Sequence, residues 1–265
     1  MFIGASTSCL FPMLTEKALD RLIEMGIGNI EVFFNSRSET APEFVKKLKA
    51  AADSIGAKII SVHPYTSESE GVSFFGSYPR RFDDEAEEYR RYFEAARIMG
   101  AHIFVFHGAR SFLPLEREFY FERFCRLREV AKQHGVILCQ ENVARCHSGT
   151  VDFIRDMRRA IPDVSFVLDT KQALRAKATP FEMLDAMGEN LAHLHISDYT
   201  DECECLPSGK GIFDTAQFLK KLKEINYGGA VMTELYRWNF ERDEEIAESV
   251  LLLKLLIDNL YTVIK

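Results

Sequence analysis

A single (β/α)8 barrel is the fold class this sequence predicts, on three observations. Short hydrophobic runs with β character alternate with longer amphipathic stretches eight times over. Nearly every run ends in a polar residue. The chain also carries no composition shift that would mark a linker, and 265 residues is a length at which such barrels form one unit. Strands that alternate with helices pair in parallel, because parallel neighbours need a crossover. An open doubly wound sheet is the rival, but it gathers its functional groups at one switch point. Polar strand ends all the way round favour closure, in one domain spanning residues 1–265.

The elements follow in order. Residues 2–5 read as the first strand, and a helix signal starts at Thr15, with Leu19, Leu22, Ile23 and Met25 at helical spacing and Gly26 as its stop. Strand two is 29–33 and its helix 42–55, ended by Gly56. Strand three is 58–62; a long polar loop over 64–79 leads to a helix at 83–99, stopped by Gly100. Strand four is 102–106 and helix four 116–133. In the second half, 136–139, 164–168, 191–196 and 230–233 read as strands, with helices expected at 149–161, 180–187, 214–225 and 242–261. A loop fills 197–211. The stripe Leu251, Leu252, Leu255, Leu256 and Ile257 predicts the face of the last helix that packs on the barrel.

Composition narrows the function. The 47% hydrophobic and 28% charged fractions are those of a globular domain. No apolar stretch is long enough for a membrane span, and residues 1–11 lack the layout of a signal peptide. The expectation is a mature cytoplasmic chain with no membrane partner. A net charge of −7 disfavours nucleic acid as the main partner. The six cysteines have no disulfide rhythm and read as reduced thiols.

In barrels of this kind the chemistry sits at the C-terminal ends of the strands. Those ends are Ser6 to Ser8, Glu31, His63, His107, Glu141, Asp169, His195 and Glu234, so all but the first offer a potential metal ligand. Three carboxylates and an imidazole from strands five to eight would repel unless a cation lay between them. Carboxylates suit Mg²⁺ and Mn²⁺, and imidazole widens the choice to Co²⁺, Fe²⁺ or Zn²⁺. No cysteine is expected in the set, which argues against a closed structural zinc site. Three carboxylates against a +2 ion leave negative charge to spare, which suits acid–base work beside the metal.

The segments SVHPY (61–65), FHGAR (106–110), QENV (140–143), LDTKQA (168–173), HLHISD (193–198), LPSGKGIFD (206–214) and TEL (233–235) together resemble the xylose isomerase-like TIM barrels. That superfamily includes sugar and sugar-phosphate isomerases and epimerases, inosose dehydratases and metal-dependent abasic-site endonucleases. The resemblance spans essentially the whole chain. It implies one divalent metal, Mn²⁺ first and Mg²⁺, Co²⁺ or Zn²⁺ as alternatives, held by Glu141, Asp169, His195 and Glu234. It also implies that Glu141 and Glu234 exchange protons with adjacent carbons through a cis-enediolate. His63, His107 and Gln172 would either support the ligands from behind or touch the substrate.

The departures bear on the substrate. The family commonly has a histidine where this chain has Gln172, and the three-zinc endonucleases add an Asp-x-His motif where this chain has Cys203 and Cys205. Their loss argues against nuclease activity, although two thiols could still form a metal-binding element. Lys210, in a Gly-rich loop, is a candidate phosphate contact. Glu31 is expected to satisfy neighbours in the barrel mouth. Lys171 and Arg237 are candidate anion contacts, though neighbours of a ligand often point away. Trp238, Phe33, Phe34 and Phe112 could wall a sugar face. The expected function is a sugar or sugar-phosphate isomerase or epimerase acting on a small polyhydroxylated substrate. A lyase of the inosose-dehydratase type, a phosphodiester hydrolase and a sugar-binding barrel are the alternatives, and homo-oligomer formation is left open.

Overall fold

The computed structural model describes residues 1–65 and 67–262. Position 66 of the expected loop and the last three residues of the expected domain lie outside the described residues. Eight parallel strands close into one barrel in chain order: β1 (Phe2–Ser6), β2 (Asn29–Phe33), β3 (Lys58–His63), β4 (Ile103–Phe106), β5 (Ile137–Glu141), β6 (Ser165–Asp169), β7 (Leu191–Ile196) and β8 (Ala230–Thr233). Closure is direct, with Phe2 to Ala5 of β1 paired to Ala230 to Thr233 of β8. Each strand is within two residues of its expected bounds at either end, because the apolar runs and their polar stops set them.

The helices form the outer layer: α1 (Thr15–Glu24), α2 (Pro42–Asp53), α3 (Ser67–Phe75), α4 (Pro79–Met99), α5 (Arg117–Lys132), α6 (Val151–Ala160), α7 (Thr170–Arg175), α8 (Pro180–Met187), α9 (Thr215–Glu224) and α10 (Glu244–Thr262). Strand alternation divides the core in two. Outward-facing Phe104, Leu138, Phe166, Leu168, Leu194 and Val231 join the large cluster beneath the helices. Inside the barrel Val105, Cys139 and Val167 form a small cluster of their own. The same parity puts Glu141 above Cys139, Asp169 above Val167, and His195 above His193, all aimed at the barrel mouth. Among the described residues no helix is long and apolar enough to cross a membrane.

Three expectations need correction. The segment read as a loop over 64–79 contains α3, and α4 starts at Pro79. Phe74 and Phe75 of α3 are buried, and Glu70 accepts hydrogen bonds from Tyr89 Oη at 2.7 Å and Gly108 N at 2.6 Å. Those contacts come from distant parts of the chain and leave no local trace. The short α7 adds a helix where none is expected. It is six residues long and is capped by a candidate ligand rather than by a recognisable stop–start signal; Asp169 Oδ1 accepts from Gln172 N at 3.0 Å. In α10 the packing face is Ile246, Ser249, Val250, Leu253 and Ile257, while Leu251 and Leu255 are exposed. A helix with leucines nearly all round gives no single stripe.

Candidate metal centre and active site

Strands β5 to β8 deliver Glu141, Asp169, His195 and Glu234 to one point. All four are buried, and each offers a donor atom within 4.8 Å of the others. His195 is the hub. Its Nδ1 lies 3.2 Å from Glu141 Oε1, 3.3 Å from Glu234 Oε2 and 3.8 Å from Asp169 Oδ2. Its Nε2 lies 3.1 Å from Glu31 Oε2. Burial opposes charge on this ring, yet Glu31, Glu234, Asp169 and Glu141 hold its pKa well above the ordinary imidazole value.

The carboxylates respond unequally. Burial pushes each toward the neutral form. At Glu141 the imidazoles of His107, His195 and His63 outweigh that, and its pKa is held well below the usual range. At Glu234, Lys171 and His195 do the same. At Asp169 burial wins and the pKa is raised, with Glu141 and Glu234 adding to it.

Three carboxylates and an imidazole, with no thiolate, are a donor set that fits a divalent ion. Such groups need a cation among them, and one is already there. The Lys171 ammonium pairs with both Asp169 Oδ2 and Glu234 Oε2. It is not turned away as a strand neighbour, because the chain leaves β6 into α7 at Thr170 and the first helical turn folds Lys171 over the site.

A layer of supporting contacts fixes the donors. Glu31 is fully buried and meets His193, His195 and Ser61 at 3.1, 3.1 and 2.7 Å. It is the carboxylate behind a candidate histidine ligand, an arrangement that fixes the ring's tautomer and orientation. Asn142 clamps the Asp169 backbone, accepting from its N–H at 2.6 Å and donating to its carbonyl at 3.0 Å. Ser8 donates to Glu234 Oε1 at 3.2 Å. The adjacency of Asn142 to Glu141 is the one sequence signal that could have singled it out.

The remaining predicted residues divide. His63 and His107 sit beside the quartet: His107 Nε2 is 2.7 Å from Glu141 Oε2 and 2.9 Å from His63 Nε2. Together with Glu141 they form a second group of close potential ligands. Gln172 lines the cavity, but its Oε1 accepts from Ala144 N at 3.1 Å. Lys210 is exposed and outside the cavity lining. The backbone N–H groups of its loop serve Asp198 instead, with Gly209 N and Phe213 N each 2.9 Å from its carboxylate. Cys203 and Cys205 join no ligand group among the described residues. Cys205 is buried and its thiol is pushed up to about 11 by that burial.

A cavity of about 570 Å³ opens over the quartet, lined by Glu141, Asp169, Lys171 and Glu234 below and by Phe33, Tyr65, Tyr236 and Trp238 higher up. Phe34 is buried in the core and, like Phe112, does not line it. Arg145, Arg175 and Arg237 bring positive charge to the lining. The volume suits a small organic molecule, with polar groups below and aromatic surface beside it.

Comparisons with known proteins agree with this architecture. The family model described as xylose isomerase-like TIM barrel matches residues 19–256. No curated protein matches the chain. Among solved structures, a D-tagatose 3-epimerase-like protein superposes with a TM-score of 0.82 at 20% identity, covering 100% of both chains. The 3-keto-D-glucoside 4-epimerase of E. coli does so at 0.76 and 18%, covering 96% of this chain and 99% of that one. A Bacillus anthracis protein described as a probable 3-DHS dehydratase gives 0.75 and 13%, covering 96% and 99%. At such identities these likenesses establish the fold.

Proposed function

Because this chain belongs to the xylose isomerase-like TIM barrel family, we propose that it is a divalent-metal-dependent sugar or sugar-phosphate isomerase or epimerase. One observation carries the reading. Glu141 and Glu234 reach the same buried cluster and line the same cavity, and each has one oxygen on His195 and the other on a proton-bearing side chain, His107 or Ser8. Two carboxylates so placed can take a proton from one carbon and return it to the same or a neighbouring carbon.

Glu141, Asp169, His195 and Glu234 would hold the metal. Bound there, it would polarise a substrate carbonyl and offset the negative charge that builds on its oxygens. The protein's own groups do the rest. His107 and His63 surround Glu141 Oε2 and set which of its oxygens is available for a proton. Glu31 holds His195 in place from behind. Phe33, Tyr236 and Trp238 offer flat apolar surface to a sugar ring, and the Arg145, Arg175 and Arg237 side of the lining supports an anionic substituent better than Lys210 does.

The test is a panel of ketoses and their phosphates in D₂O, with and without Mn²⁺. The expected result is deuterium at a single carbon of one substrate, dependent on metal and lost in Glu234→Gln. Ligand binding by calorimetry without any exchange would replace this reading with a sugar-binding role.

A further inference from the structure

We propose that Lys171 is a built-in competitor of the metal: its ammonium occupies the Asp169–Glu234 bridge, and a divalent ion can enter only by displacing it. This role rests on the metal-site reading above and deepens it.

The reason is geometric. Lys171 Nζ contacts Asp169 Oδ2 and Glu234 Oε2. Those are the oxygens that face His195 Nδ1, at 3.8 and 3.3 Å. The ammonium therefore uses the donor atoms a metal would need from two of the four ligands. It is not a surface side chain reaching in, since Lys171 is buried with 4% of its side chain exposed. Its backbone is held by the first turn of α7, which Asp169 itself caps through its other oxygen. The Asp169 carboxylate thus starts the helix that delivers its own competitor. One cation and a metal cannot share two oxygens at contact distance without direct repulsion.

Displacement has somewhere to lead. Lys171 lines the substrate cavity, and its Nζ lies 5.6 Å from the centre of the Tyr236 ring. Released from the bridge, a flexible four-carbon stem can swing its charge toward the cavity, where it would meet substrate oxygens. The consequence is a site that is electrically compensated without metal and that exposes a substrate-facing cation when metal arrives. Such coupling makes metal affinity lower than the donor set alone would give, and tunable by one residue.

Calorimetric titration of Mn²⁺ into the wild-type chain, Lys171→Met and Lys171→Gln tests this, with folding followed by circular dichroism. The expected result is that both variants bind Mn²⁺ roughly 10- to 1000-fold more tightly than wild type, the range a lost contact between unit charges allows. Without metal they should melt at lower temperature than wild type, because the acids lose their resident cation, and saturating Mn²⁺ should close that gap. Binding by the variants alone also supports the proposal. Equal or weaker binding in the variants overturns it and leaves the proton-transfer reading standing. No binding by any of the three overturns both. For a readout that needs no substitution, the ammonium resonance of Lys171 in the ¹⁵N-labelled wild type should shift on loading with diamagnetic Zn²⁺. A resonance unchanged at saturation overturns the proposal.

Discussion

His195 illustrates how a residue's neighbours assign its job. One ring nitrogen faces Glu31 and the other faces three acids at 3.2 to 3.8 Å. Replacing Glu31 by Gln should keep the shape of that contact while removing the charge that orients the ring. Metal affinity should then fall about 10- to 100-fold, the usual cost of disturbing a ligand's supporting partner, and calorimetry with Mn²⁺ reads it; an unchanged affinity would show that Glu31 only fills space. Glu234→Gln should lower proton exchange by about 10²- to 10⁴-fold, measured as deuterium incorporation. The quartet was legible in the sequence because each member closes an apolar run, and strand ends share one barrel face. Lys171 is legible only as a candidate anion contact beside a ligand, since its inward turn onto Asp169 and Glu234 depends on the short helix that Asp169 caps.

At the scale of the element, the loop between β7 and α9 is organised by Asp198. Its buried carboxylate accepts from Tyr199 N at 2.8 Å, Gly209 N at 2.9 Å and Phe213 N at 2.9 Å. The Gly-rich stretch that resembled a phosphate cradle is spent on this internal anion. Asp198→Ala should therefore cost roughly 2–4 kcal/mol in denaturant unfolding, as orphaned buried donors do. Lys210→Ala should leave turnover within about 2-fold, because an exposed charge outside the cavity has little to lose. A large drop in turnover for Lys210→Ala would return the loop to the site. Sequence showed the glycines and the lysine but not which anion the backbone serves. Gly108 makes the same point about close approach. At a φ of 81°, a Cβ there would come within 1.8 Å of Tyr120 Oη, the hydroxyl that bonds Gln140. The need for glycine comes from a ring on α5, out of reach of any local pattern.

Across the whole molecule, the barrel's order was readable because period-two strands and period-3.6 helices alternate without interruption. The polar floor beneath the site was less so. Sequence marks Glu31 as a strand end that satisfies neighbours in the barrel mouth, but Ser61 and His193 become those neighbours only when the barrel closes, bringing His193 Nε2 to 3.1 Å from Glu31 and 3.2 Å from Ser61. Closure also buries thiols. Burial raises Cys9 and Cys146 to about 12 and Cys205 to about 11 from 9.0. The folded chain keeps protons there that the unfolded chain gives up. This contribution to stability is complete below about pH 9 and is lost as pH rises toward 11–12, each tenfold weakening of a thiol's acidity being worth about 1.4 kcal/mol. Melting temperature should fall across that window, and a flat profile would contradict the burial. At about pH 8 a thiolate-selective reagent should spare these three. Whether the buried quartet moves a proton on a sugar is decided by proton NMR of candidate ketoses and ketose phosphates in D₂O, with the metal-loaded wild type beside Glu234→Gln. The expected spectra show metal-dependent loss of one carbon-bound proton signal in one substrate with the wild type, and its persistence with the variant. Loss of that signal at the same rate in both proteins, or none with any substrate, would refute the proton-transfer role.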